Sequence, residues 1–325
     1  MAVGALMYSG TVVQRAFRRW IVAALSLTVL FWLASFAALL AMAKSVHDDV
    51  PQALATKLPL LRLNPELIFA GDSRAELQLD PALAAQIVGQ PAGFAVNIAY
   101  LAGEPLAFLA AAKSDSKHFK KAHLVISVTA LISNEGIRGA VVFPPNVTAR
   151  MPVGEQLITF LPMRIGTLIH FIRAAFNSRF AADQKLAEVG PMPPRFGLNT
   201  LPLQPNYSWP SDIAGHEHYR KWNISGFKAV SEIGALCDLA GVTRRLTVLR
   251  SPWAPSYDRD REPSWKKKDE QHIALIQAAG ERCGFEVLDI QSVPGLERLH
   301  FADEQHINDT GVPVYTRYVM SKIAP

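Results

Sequence analysis

ELIFAGDSRAELQLDP, residues 66–81, runs from an apolar stretch through a glycine into a polar turn and then to a helix start. Leu67 to Ala70 are a continuous apolar run of strand length, and Gly71 halts it, as expected of a strand buried on both faces. Asp80 and Pro81 then read as the cap and first position of a helix that Gly89 stops. A strand, a tight turn and a helix within 24 residues are the opening of an α/β unit.

Working outward, the alternation continues. FAVNIAY (94–100) and AHLVISVTA (122–130) read as strands, with GEPLAFLAAAKS (103–114) helical between them. Further on, residues 226–241 read as helix, RRLTVLRSP (244–252) as strand, and WKKKDEQHIALIQAAGERCG (265–284) as helix. FEVLDI (285–290) is a fifth strand, and TGVPVYTRYVMSKI (310–323) is the last helix. Strand–helix alternation of this kind predicts a mainly parallel sheet with helices on both faces, and its ligand site lies beyond the carboxyl ends of the strands. Residues 140–225 break the rhythm. They hold ten prolines, from Pro144 to Pro210, and one helical stretch near 155–185, which reads as an insertion or lid over that site.

Before the first strand stands an uncharged stretch of 24 residues, Trp20–Ala43. As a helix it would be about 36 Å long, enough to cross a hydrocarbon core of about 30 Å. Arg15, Arg18 and Arg19 precede it and orient residues 1–19 to the cytoplasm. A signal peptide cleaved after Ala41-Met42-Ala43 is the rival, but the apolar run exceeds the usual 7–15 or so residues of such a segment. The expected organisation is therefore a transmembrane helix over 20–43, a stalk over 44–64 and a globular domain over 65–325. That domain would be periplasmic or otherwise extracytoplasmic. The net charge of +5 comes without a long basic run, which argues against nucleic acid. Cys237 and Cys283 lack metal spacing; they could pair in an oxidising compartment, and the reading of two buried helical thiols is slightly preferred.

Ser73 stands where the first strand ends, placing its hydroxyl at the cleft. A serine hydroxyl needs a base and a group to orient that base. FADEQHINDTG (301–311) offers Asp303 and His306, three apart, just before the last helix. Arg74, next to the serine, suits an anionic or glycan oxygen. GHEHYRKWN (215–223), in the lid region, offers Tyr219 and Trp222 to stack on a sugar ring, and RSPWAPSYDRD places Trp253 and Tyr257 at the cleft rim. His216 and His218 flank only Glu217, which is not zinc spacing, so no metal and no cofactor are expected.

The GDS after the first strand and the Asp-x-x-His-Ile-Asn-x-x-Gly pattern before the last helix resemble the first and fifth sequence blocks of the SGNH (GDSL-like) hydrolase superfamily. The anchor and the HIN ending look most like its membrane-anchored members that accompany membrane-bound O-acyltransferases, of the alginate O-acetylation and teichoic-acid D-alanyl-transfer kind. The resemblance implies a three-layer α/β/α, flavodoxin-like fold with Ser73, Asp303 and His306 as triad. It further implies an acyl group, acetyl foremost, handed over by a multi-spanning acyltransferase to an envelope polysaccharide or glycan. A deacetylase or esterase with the same triad and an inactive glycan-binding subunit stay open. The second block's glycine corresponds to Gly103, with Asn97 nearby. The third block's Gly-x-Asn-Asp is replaced by Ser127-Val128-Thr129-Ala130, leaving Thr129 as the candidate oxyanion donor in place of the asparagine.

Overall fold

The computed structural model describes residues 14–15, 17–30, 33–34, 52–101, 103–129, 194–199, 227–255 and 263–323. Among the described residues five strands form one sheet: β1 (Leu67–Gly71), β2 (Ala95–Asn97), β3 (His123–Ser127), β4 (Arg245–Arg250) and β5 (Glu286–Asp289). Their spatial order is β2-β1-β3-β4-β5, and every pairing is parallel, as in Leu67↔Ala95, Leu67↔His123 and His123↔Arg245. All five match runs expected from the sequence. The order reverses between β1 and β3, so a crevice opens at their carboxyl ends. Ser73 follows directly there.

Among the described residues, the longer helices that flank the sheet are α1 (Ser73–Gln78), α2 (Pro81–Ile87), α3 (Pro105–Ser114), α4 (Phe227–Val242), α5 (Pro263–Cys283) and α6 (Val312–Ile323). They cover both faces because successive side chains of a strand point to opposite sides. Along β1, Ile68 and Ala70 pack with Phe108, Leu236 and Ile276 of α3, α4 and α5. Leu67 and Phe69 pack with Ala75, Ala84 and Val319 of α1, α2 and α6. Asp80 caps α2 through hydrogen bonds from the Ala82 and Leu83 N–H groups at 2.9 and 3.2 Å, with Pro81 following it, which is the start signal read in the sequence.

Two expectations need correction. The segment expected as a stalk joins the domain core from Leu54 onward. Gln52–Ala55 forms a helical turn and Leu58–Leu63 a 3₁₀ turn, and Leu54, Leu58, Leu60 and Leu61 are buried against β2 and α3. Leu54, Leu58 and Leu61 have helical spacing, but so short and weak a pattern does not say that its apolar face meets a core. The second correction concerns the cysteines. Cys237 and Cys283 form a disulfide, because the packing of α4 against α5 brings their Cα atoms to 5.2 Å, within bridging range.

At the N-terminus, residues 17–30 are helical, with Trp20, Leu25, Leu27 and Leu30 exposed. Among the described residues no helix is long and apolar enough to cross a membrane; the expected span continues to Ala43, outside them. Of the insertion expected over 140–225, residues 194–199 are described. They form a short 3₁₀ turn, Pro194–Gly197, and a tail tied to α1 by Asn199, whose side chain donates to Glu76 Oε1 at 2.7 Å.

The Cys237–Cys283 bridge closes a loop of 46 residues, for which chain entropy gives about 4 kcal/mol of stabilisation as an upper figure. Cys237→Ser with Cys283→Ser should therefore lower the free energy of unfolding in urea by about 2–4 kcal/mol. The same loss should appear in the wild-type protein on adding a thiol reductant, and an unchanged midpoint under both treatments would refute the bridge.

Candidate active site

The site begins with a backbone constraint. Gly71 ends β1 with φ near +118°, and a methyl group on it would lie 2.2 Å from the Ser127 carbonyl oxygen of β3. Only glycine meets both demands. Asp72 follows as the N-cap of α1, its Oδ1 accepting from the Arg74 N–H at 3.0 Å. Ser73 is thereby placed as the first helical residue, half-buried, at the carboxyl edge of the sheet.

The partners come from the far end of the chain. Ser73 Oγ lies 2.8 Å from His306 Nε2, and His306 Nδ1 lies 2.6 Å from Asp303 Oδ2. A carboxylate can only accept, so Nδ1 carries the ring proton and Nε2 is left to accept from the serine hydroxyl. Asp303 is itself fixed, since its Oδ1 accepts from the Gln305 and His306 N–H groups, each at 2.8 Å. Burial would raise the Asp303 pKa, but the His306 contact and the two backbone donors outweigh it, and the net shift is downward. The acid is held ionised beside its histidine.

The pattern around these residues has a local reason. The loop closes on itself through Ala302 N–H to the His306 carbonyl at 2.8 Å and the Phe301↔Ile307 bridge. Asn308, fully buried, donates to the Leu299 carbonyl at 2.7 Å and accepts from Thr310 and Gly311 at the entry to α6. A methyl on Gly311 would lie 2.6 Å from the His300 carbonyl oxygen. The asparagine and glycine of the HIN-x-x-Gly motif thus shape the loop that presents His306.

The secondary candidates behave differently from their sequence reading. Arg74 is 2% exposed; its guanidinium lies 4.3 Å over the Trp253 ring, which is itself mostly buried. Asn97 faces inward. Its amide donates to the Ala75 and Leu79 carbonyls at 2.7 and 3.0 Å, and its oxygen accepts from Ala99 N–H, so it finishes α1 instead of facing a ligand. The Gly103 N–H donates to the Tyr100 carbonyl at 2.9 Å and is not offered to the cleft. A methyl on Gly103 would sit 2.1 Å from the Gly71 carbonyl oxygen, so this glycine lets the next loop close on the turn before Ser73. Thr129 is buried beside the Asp72 carboxyl, outside ordinary hydrogen-bond geometry but near enough to lower its pKa. The Asp72 shift is upward overall, from burial, despite the Arg74 charge. Trp222, His216, His218, Tyr219 and Tyr257 lie outside the described residues.

Beneath the Ser73–His306–Asp303 hydrogen-bond chain the structure adds residues the sequence reading passed over. Gln78 donates to the Gln305 carbonyl at 2.7 Å, and Tyr315 donates to Ser251 Oγ at 2.8 Å. Gln78 stands four after Arg74, so the two share one face of α1; that spacing was the available signal. The Ser73 N–H, at the start of α1, has no acceptor among the described residues.

No family model matches the chain, and no curated protein matches it. Among solved structures, LAE5, an alpha/beta hydrolase enzyme from the metagenome of Lake Arreo, Spain, aligns with 79% of this chain and 94% of its own, at 11% identity and a TM-score of 0.36. A likeness that remote carries no argument about activity.

The lowered Asp303 pKa has a pH consequence with a definite sign. A carboxyl group whose folded pKa lies below its unfolded value contributes stability that is fully present above the unfolded pKa, about 3.9, and lost as pH falls through the folded value. Asp303→Asn removes that contribution. The difference in thermal midpoint between wild type and Asp303→Asn should be constant above about pH 5 and shrink towards pH 3. A difference that does not vary with pH would contradict the ionised Asp303–His306 pairing.

Proposed function

We propose that the chain is a cell-envelope serine acyltransferase that moves an acyl group, acetyl foremost, onto an exported polysaccharide or glycan. The observation that carries this is the unbroken hydrogen-bond chain from Ser73 to His306 to Asp303. In the first step Ser73 Oγ attacks the donor's acyl carbon and His306 Nε2 takes the hydroxyl proton. The carbon–heteroatom bond to the donor breaks, and the leaving group departs with that proton. In the second step an acceptor hydroxyl gives its proton to His306 and attacks the acyl-enzyme, and Ser73 is released with its hydroxyl restored. Asp303 holds the imidazole tautomer and stabilises the imidazolium in both. The Ser73 N–H is the available donor for the oxyanion. The third-block asparagine of the superfamily is absent, and Gly103 is otherwise engaged, so this oxyanion site has fewer donors than the family pattern. That favours a transferase fed with an activated donor over a broad esterase.

The envelope setting rests on three features. The uncharged Trp20–Ala43 stretch with its preceding arginines suits a retained anchor. The disulfide suits an oxidising compartment. The route by which the chain enters the domain is the third. Lys57 bonds the Ala99 carbonyl just past the carboxyl end of β2, together with Glu76 of α1 and the Gly197 carbonyl. From there residues 58–66 descend the height of the sheet to reach the start of β1. The N-terminal segment therefore joins the domain on the edge that carries Ser73, which supports an acyl donor delivered at the membrane by a multi-spanning partner.

Full-length protein incubated with an activated acetyl ester should show a mass increase of one acetyl group on Ser73 and pass it to a glycan oligosaccharide. Ser73→Ala should abolish the adduct while leaving the thermal midpoint within a few degrees, with a rate loss of about four orders of magnitude or more. Release of free acetate alone, unaffected by any glycan, would point to the esterase. An adduct that survives in Ser73→Ala would refute Ser73 as nucleophile. C-terminal fusions should be active with a periplasmic reporter and silent with a cytoplasmic one.

A further inference from the structure

Gln305 lies between Asp303 and His306 in the chain, and three contacts to described residues help hold it. Its N–H donates to Asp303 Oδ1 at 2.8 Å, its backbone carbonyl accepts from Gln78 Nε2 at 2.7 Å, and its side-chain oxygen accepts from Arg74 Nη2 at 3.4 Å. Arg74 and Gln78 are one helical turn apart and both are buried, so a single face of α1 reaches the Asp303–His306 loop at two points. The same guanidinium donates through Nη1 to the Ser251 carbonyl at 3.1 Å and stacks on Trp253, which ties it to the exit of β4. Three segments far apart in sequence thus meet on one side chain. It belongs to the residue directly after Ser73.

Burial of this arginine is costly. Arg74 Nε and Gln78 Oε1 find no partner among the described residues, and an apolar side chain of similar volume would fill the space without that penalty. Packing alone does not account for a polar pair here, whereas bridging between α1 and the histidine loop does. Because α1 starts with the nucleophile, whatever fastens α1 to Gln305 also sets the separation of Ser73 from His306.

We propose that Arg74, assisted by Gln78, is a positioning residue that keeps the Asp303–His306 loop within hydrogen-bonding reach of Ser73 and makes no contact with substrate. This inference rests on the Ser73 acyl-enzyme reading. It replaces the expectation that Arg74 binds an anionic or glycan oxygen.

A fluorophosphonate probe tests it on the full-length protein. Ser73 Oγ forms the oxygen–phosphorus bond, the fluoride leaves, and the hydroxyl proton passes to His306. The inactivation rate constant and the probe's binding constant are measured separately, together with the thermal midpoint of each sample. Arg74→Lys keeps the charge but loses the planar fork and the stacking. It should lower the inactivation rate constant about 10–100-fold, the scale of a small misplacement at a reacting centre, and leave probe binding unchanged. Gln305→Ala should do the same, and the double variant should be no slower than the slower single one, because both act on one contact. If Arg74→Lys does not fold, Gln305→Ala, which keeps the backbone bonds of the loop, decides alone. Folded variants that react at the wild-type rate with a lowered thermal midpoint would show a purely structural arginine and overturn the inference. Weakened probe binding at an unchanged rate constant would make Arg74 a ligand contact and overturn it equally. A wild-type protein that does not react at all would instead remove the Ser73 reading, and the inference with it.

Discussion

Three backbones meet at Gly71 with no room between them for a methyl group. The Ser127 carbonyl of β3 presses on its α-carbon from one side, and the loop at Gly103 closes over its own carbonyl from the other. This close approach lets β1 end sharply and α1 begin at once, so that Ser73 emerges at the edge of the sheet and not within it. Every later feature of the site depends on that placement. The histidine loop has a partner at 2.8 Å only because the serine is carried to the crevice by the strand order.

The polar layer beneath the triad serves orientation at some cost to stability. Asp72, Arg74, Gln78, Ser251 and Tyr315 are all buried at the carboxyl ends of the strands, where an apolar core would pack more cheaply. Their bonds join α1, the β4 exit and α6. The burial that raises the pKa of the Asp72 carboxyl and the Tyr315 hydroxyl also makes each hydrogen bond in the layer stronger than in water. A half-satisfied network of this kind is tolerated where geometry matters more than stability.

Much of the fold was legible because it follows from local rules. The five apolar runs and the Asp80-Pro81 helix start depend on neighbours a few residues apart, and each appears where the pattern put it. The motif residues Ser73, Asp303 and His306 were equally readable, since a serine after a strand and an Asp-x-x-His before a helix are local signatures. The stalk was misread because Leu54, Leu58 and Leu61, spaced four and three apart, make only a short, weakly helical pattern. Their burial is decided by β2 and α3, not by their own spacing.

The sequence by itself determined the alternation of strands and helices, the turn at Gly71 and which serine, aspartate and histidine are the candidates, because these are written in spacings of one to four residues. Tertiary structure alone decided that the serine and the histidine, 233 positions apart, share a hydrogen bond, and that the two cysteines pair across α4 and α5. It also decided which polar side chains face inward. Arg74, Asn97 and Gly103 were read as available to a ligand, yet each is engaged by protein groups. Whether a polar group meets solvent or protein is set by which distant segments pack over it, and Arg74 meets Gln305 from 231 residues away. No local pattern carries that information, because the energy that settles it, the desolvation of a buried polar atom against the bonds it gains, exists only once the chain has folded.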